Sequence, residues 1–307
     1  MIRYNPIAIF AYNRPKHLSR LLASLSGNEG IEESDVHVFC DGPKTNQDVD
    51  LVNDVINVAE QFKCSKSLTI TCRKNKLGLA ENITSGIDTG FENSSLSGII
   101  VLEDDLVFSE SFLLFMNSSL CYYENSTKVF HVSGWSYDQG SDSLYDVRFL
   151  KMMNCWGWAT WKNKWNKYTK NAEAAHKHLM NSPEMLKEFN LDSTFPFDSH
   201  IKMNMDGKLN TWAIFWYYSI FVEGGYEVLP PLSLVMNKGL DGSGTNSVIR
   251  KNYGSKSVSK SKFNLVPFHD DPAYRKQVKS FYRYKYSRVN KILVLIINKL
   301  SYVLSAL

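Results

Sequence analysis

Short apolar runs recur through the first hundred residues, and each stops at a polar group. Residues 6–12 (PIAIFAY) lead into Asn13-Arg14-Pro15, residues 36–40 (VHVFC) into Asp41-Gly42-Pro43, and residues 98–102 (GIIVL) into Glu103-Asp104-Asp105. A fourth run, residues 68–72, ends at Arg73. Apolar runs of this length bounded by turn formers read as buried parallel strands. Helical stripes lie between them. Leu18, Leu21, Leu22 and Leu25 follow Pro15, which suits a first helical turn; Leu51, Val55, Val58 and Phe62 form a second stripe, and Leu79, Ile83, Ile87 and Phe91 a third. The alternation predicts an α/β fold, a mostly parallel central sheet flanked by helices. Such sheets bind ligands beyond the carboxyl ends of their strands, which is where Asn13, Arg14, Asp41 and the acidic triplet fall.

The pattern changes after residue 112. All seven tryptophans lie between 135 and 216, a further strand reads at 226–229 before Pro230-Pro231, and 237–244 reads as a loop. The expected organisation is one domain over 1–270, with a nucleotide-binding half (about 1–120), an acceptor half (about 121–247) and a mobile basic loop (about 250–262). A helical extension, 271–307, follows. There Arg275, Lys276, Lys279, Arg283, Lys285, Arg288 and Lys291 precede the apolar run 292–297. Such a segment suits an interfacial helix touching the inner face of a membrane, or a helix docked on the domain's own surface. No apolar run reaches the length a spanning helix needs.

Composition narrows the partners. With 44% apolar residues and 13% aromatics the chain can bury a large core, and a net charge of +4 with no finger or zipper motif points away from nucleic acid. The five cysteines are scattered and never spaced as Cys-x-x-Cys. That favours a reducing, cytoplasmic setting over a disulfide framework or structural zinc. The first ten residues read as a strand, not a secretion signal. The histidines lack metal-ligand spacing, and no phosphate-binding glycine fingerprint occurs. The triplet carries the chemistry. Adjacent carboxylates after a buried strand repel one another unless a cation compensates, and Mn²⁺ or Mg²⁺ is commonly held by one or two carboxylates plus phosphate oxygens. The plainer alternative is a cluster near the N-terminus of the following helix.

The segments FAYNRPKHLSRLLASL (10–25), VFCDGP (38–43), NKLGLAENI (75–83) and VLEDDLVFSESFLLFMN (101–117) resemble the nucleotide-binding half of GT-A-fold glycosyltransferases of bacterial family-2 type. HVSGWSYDQG (131–140) and FLKMMNCWGWATWKNKW (149–165) extend the resemblance toward the N-acetylglucosaminyltransferase I group, over about residues 4–247. The resemblance implies that Ala11 and Arg14 line the uridine and diphosphate side, and that Asp41 accepts a hydrogen bond from the uracil N3–H. It implies that Lys76 and Asn82 approach the nucleotide or donor sugar, that Glu103 and Asp104 face the ribose, and that Asp105 coordinates the metal. Trp156 and Trp158 would belong to the donor-sugar and acceptor pocket, since indole rings stack on sugar faces. The chain departs from the pattern at the base. The relatives' Trp-Asp-Asp-Trp segment falls on Trp212-Ala213-Ile214-Phe215, without acids, which leaves Asp206 and Asp198 as candidates. The implied activity is metal-dependent transfer from a UDP-sugar, UDP-GlcNAc by likeness, to a hydroxyl of a glycan or lipid-linked saccharide in bacterial O-antigen or capsule synthesis. A nucleotidyltransferase and an inactive GT-A domain serving as a binding or scaffold subunit are the alternatives.

Overall fold

The computed structural model describes residues 2–137, 145–239 and 262–286. Its strands are β1 (Ile7–Ala11), β2 (Asp35–Cys40), β3 (Ser67–Cys72), β4 (Gly98–Glu103), β5 (Leu106–Phe108), β6 (Val129–Ser133), β7 (Arg148–Leu150), β8 (Trp158–Trp161), β9 (Tyr226–Leu229) and β10 (Val235–Asn237). The helices are α1 (Pro15–Ser26), α2 (Val49–Glu60), α3 (Leu79–Glu92), α4 (Phe112–Tyr122), α5 (Lys162–Trp165), α6 (Ala172–Met180), α7 (Pro183–Phe189), α8 (Asp198–Met205), α9 (Ala213–Val222) and α10 (Pro272–Lys285).

The main sheet has the order β3-β2-β1-β4-β8-β6-β9-β7. Its first four strands are parallel; β8 runs antiparallel between β4 and β6, β9 returns parallel to β6, and β7 closes the edge antiparallel. A small antiparallel ribbon pairs β5 with β10. The α/β class read from the sequence is therefore met, with an antiparallel half that the apolar runs did not disclose.

Burial explains the continuous apolar strands. Every residue of β1 is buried, because each face of the sheet is covered. Ile7, Ile9, Val36, Val38, Ile100 and Leu102 join the leucines of α1 on one face, and Ala8, Phe10, Phe39, Ile99 and Val101 join Ile83, Ile87 and Trp216 on the other. Two stripes sit slightly off their reading. In α2 the inward residues are Val52, Val55 and Ala59 while Leu51 is exposed, and Leu79 is exposed at the start of α3, where Ala80 takes the inner place.

Over residues 272–285 the tail follows the second of its two readings, a helix docked on the domain. α10 begins with Asp271 capping the Tyr274 N–H, and it buries Tyr274 and Val278 in the core of the aromatic half. Arg275 and Lys279 pair with Asp192, and Arg148 with Asp271, so these cations face protein rather than lipid. Residues 272–285 are thus a docked helix of the domain. Residues 287–307, including the apolar run, lie outside the described residues, as do 240–244 of the loop read at 237–244 and nearly all of the basic loop read at 250–262. Among the described residues no helix is long and apolar enough to cross a membrane.

Candidate active site at the strand ends

The triplet is built where β1 and β4 stop side by side, with Phe10 in register with Glu103. The Asp104 N–H donates to the Phe10 carbonyl, the Asp41 N–H to that of Ala11, and the Arg73 N–H to that of Cys40. These bonds carry the strand order into the loops that follow it. Pro15 starts α1 directly after β1, which leaves Arg14 beside the acids; it pairs with Asp104 and, at 3.1 Å, with Asp105. The Asp104 side chain is only 4% exposed, and burial pushes its carboxyl up to about 7 despite Arg14. Glu103 is pushed up to about 8, first by burial and then by the charges of Asp105 and Asp104.

One guanidinium therefore faces three carboxyls, and nothing described pairs with the Glu103 side chain. The loop after β10 completes the surroundings. The Lys238 N–H donates to the Asp105 carbonyl at 2.7 Å, and the Asn237 side-chain amide reaches the Asp105 carboxylate at 3.5 Å. A Cβ on Gly239 would collide with that carboxylate, so only glycine lets the backbone come this close. Surplus negative charge on hard oxygen donors fits a divalent cation. Among the described residues no three His, Cys, Asp or Glu side chains are grouped to hold a metal ion by themselves.

Several other expected contacts are already taken. The Asp41 carboxylate accepts from the backbone N–H groups of Gly42, Leu77 and Gly78 and pairs with Lys76 at 3.3 Å. It fastens the end of β2 to the 76–78 loop, and few of its lone pairs remain for a nucleobase. Lys76 also sits over the Tyr12 ring. Asn82 is buried; its amide donates to the Phe39 carbonyl and receives Arg73, so it ties α3 to β2 and does not face a donor sugar. Ala11 is buried at the end of β1, within the hydrophobic core.

Beyond the triplet lies a cavity of about 240 Å³, lined by Asn154, Cys155, Trp156, His200, Tyr282 and Lys285, with Trp135 and Tyr137 among its aromatic walls. His131 fixes its floor. It donates from Nε2 to the Asn154 carbonyl at 2.9 Å and accepts the Trp216 indole N–H on Nδ1, and burial pushes it down to about 3, so it stays neutral. Gly157, at φ 61°, turns the chain from this segment into β8. Trp156 is partly exposed on the cavity and edge-on to Trp135. Trp158 corrects the reading: it is 0% exposed, stacked on Trp212 and His131 within the core, and cannot meet a sugar.

The two candidate bases also sit apart. Asp198 opens α8 and is bonded on both sides by Asn190, whereas Asp206 ends α8 paired with Lys208 at the surface. Neither bonds to the triplet and neither lines the cavity. Ala213 and Ile214 do line it, as apolar walls. The sequence reading missed Gly239 and the bracing role of His131; their partners Asp105, Asn154 and Trp216 lie far away in the chain, and only the fold joins them.

No family model matches the chain. Among solved structures it is similar in overall fold to the mannosyltransferase PcManGT from Pyrobaculum calidifontis in complex with GDP-Man and Mn²⁺, at 9% identity and TM-score 0.41, over 72% of this chain and 70% of that one. Two crystal structures of S. aureus TarS also match, each at 15% identity. The 1–349 fragment has a TM-score of 0.29, over 42% of this chain and 34% of its own; the other has 0.30, over 45% and 23%. Likenesses this distant say nothing about chemistry.

Proposed function

We propose that the chain is a GT-A-type glycosyltransferase that moves a sugar from a nucleoside-diphosphate sugar to a hydroxyl of a glycan or lipid-linked saccharide, with Mn²⁺ or Mg²⁺. The observation that carries this reading is the acidic cluster at the carboxyl end of β4, three carboxyls with Arg14 as their one paired cation among the described residues, under the Gly239 backbone. Asp105, with Glu103, would hold the ion. When bound, such an ion offsets charge on the departing diphosphate. Arg14, which balances Asp104 and Asp105 here, is the cation placed to meet phosphate oxygens. Asp41 and Lys76 shape the base side, and Trp156 offers its face to the sugar. UDP is the preferred nucleotide and UDP-GlcNAc the first donor to try, following the resemblance to the N-acetylglucosaminyltransferase I group. Bacterial surface polysaccharide synthesis on the cytoplasmic side of the membrane is the proposed setting.

The test is turnover of a panel of UDP- and GDP-hexoses by the full chain, with Mn²⁺ and with EDTA. Nucleoside diphosphate released only with metal supports the reading; metal-independent release contradicts it, and release of pyrophosphate would favour a nucleotidyltransferase. The apolar Ala213 and Ile214 on the cavity wall favour one other reading, a domain that binds nucleotide without turnover.

A further inference from the structure

Six of the seven tryptophans are buried in the core; Trp156 is the exception. It lines the cavity together with Phe197, Phe281 and Tyr282, which are also only partly covered. Their neighbours set the walls at steep angles to one another. Trp135 stands edge-on to Trp156 and Tyr137 edge-on to Phe281, each with ring centroids 5.3 Å apart. Aromatic faces left open around one space, with a few placed polar groups among them, are the makings of a ligand pocket.

The polar groups are present. The Asn154 side-chain oxygen accepts the Trp156 N–H at 3.0 Å, which leaves its NH₂ group to donate elsewhere. That NH₂, the His200 imidazole and the Thr211 hydroxyl all belong to the lining, and none has a hydrogen-bond partner among the described residues. No acid lines the cavity, whereas Lys285 does, so a cationic guest of the kind aromatic cages take would find no counter-charge. Its volume of about 240 Å³ falls below the roughly 300–1,000 Å³ of sites that enclose a drug-sized molecule. It therefore takes a single ring and not a whole nucleotide sugar. A pyranose has the matching surfaces, a C–H face for an indole and a rim of hydroxyls for the polar groups.

We infer that the cavity seats one pyranose ring of the acceptor and that α10 closes it, an acceptor role that rests on the glycosyl-transfer reading above. Packing ties one wall to the strand-end site. A Cβ on Gly157, next to Trp156, would press on Val235 and Phe108, a registered pair of the β5–β10 ribbon. That ribbon leaves directly after Asp105 and comes back to it through Asn237 and Gly239. The opposite wall is supplied by His200 of α8, Tyr217 of α9, and Phe281 and Tyr282 of α10. None of these helices contributes to the acidic cluster, so this wall meets the entering sugar and not the diphosphate. α10 is held in place by Arg275 and Lys279 on Asp192, and its Tyr282 hydroxyl meets that of Tyr137 at 3.3 Å. The docked helix is thus a specificity element as well as a structural one.

The experiment is saturation-transfer NMR on the full chain, without donor or metal. The probes are methyl glycosides of neutral hexoses and N-acetylhexosamines at millimolar concentration, with choline as a counter-probe. At least one glycoside is expected to bind saturably through its ring protons, and Trp156→Ala and Phe281→Ala should each weaken it about tenfold. With the best donor from the hexose panel and Mn²⁺, Phe281→Ala should raise the KM for that glycoside about tenfold and move the donor KM by less than about twofold. Should Phe281→Ala fail to melt cooperatively, the near-isosteric Thr211→Val makes the same test from another wall. Absence of binding by every glycoside, binding unchanged in the variants, or displacement of the glycoside by choline overturns the proposal. A variant that raises the donor KM alone overturns it too, since the cavity would then hold the donor sugar. A wild type that binds a glycoside but releases no nucleoside diphosphate from any donor defeats the transfer reading itself, an outcome distinct from an active wild type indifferent to Phe281→Ala.

Discussion

Two acidic places in the molecule are built in opposite ways. The Glu103-Asp105 group lies at the carboxyl end of a central strand among its own charges, with Arg14 as counterion; Glu227 lies buried within β9, with none. Glu103 and Glu227 are both pushed up to about 8, but by different causes. Mutual repulsion contributes to Glu103, so a bound cation would relieve it. Desolvation raises Glu227, so taking up a proton relieves it.

The comparison breaks most directly at Asp105. Asp105→Asn should lower metal-dependent turnover by about 10²–10³-fold, and the thermal shift given by Mn²⁺ with UDP should vanish. Arg14→Ala leaves Asp104 buried without its counterion, at a cost of about 3 kcal/mol in urea denaturation at pH 8. The loss should be smaller at pH 6, where Asp104, raised to about 7, takes up a proton.

The buried Glu227 has a stability signature of its own. A carboxyl raised from its ordinary value of 4.5 to about 8 favours folding most below that ordinary value, and the contribution is lost as pH rises toward 8. Glu227→Gln should therefore flatten the fall in stability between pH 5 and 8, and at pH 8 exceed wild type by about 2 kcal/mol. Gly239→Ala, which forces the loop off Asp105, should weaken calorimetric Mn²⁺–UDP binding by about tenfold. At the small end, Asp198→Asn and Asp206→Asn should leave kcat within about twofold, since a surface pair such as Asp206 with Lys208 carries little.

The two halves also differ in how far their sequence could be read. In the parallel half, strands buried on both faces must be apolar throughout, so β1, β2 and β4 showed themselves and their ends marked Arg14, Asp41 and the triplet. In the antiparallel half the strands are short and aromatic. β8 reads as Trp-Ala-Thr-Trp, and nothing local distinguishes the buried Trp158 from the cavity-facing Trp156. Partners such as His131 with Asn154, or Gly239 with Asp105, lie far apart in the chain, and only the fold joins them. Asp41 illustrates the remaining limit: its place at a strand end was legible, but the amides that occupy it come from the 76–78 loop.

The central claim is that the end of β4 holds a divalent cation with a nucleoside diphosphate. Anomalous diffraction from crystals soaked with Mn²⁺ and UDP tests it most directly. The account predicts one strong manganese peak on the Asp105 carboxylate, bridged to the diphosphate, and none in Asp105→Asn crystals. A diphosphate bound at this site with no manganese on Asp105, or a peak that persists in the variant, would contradict it.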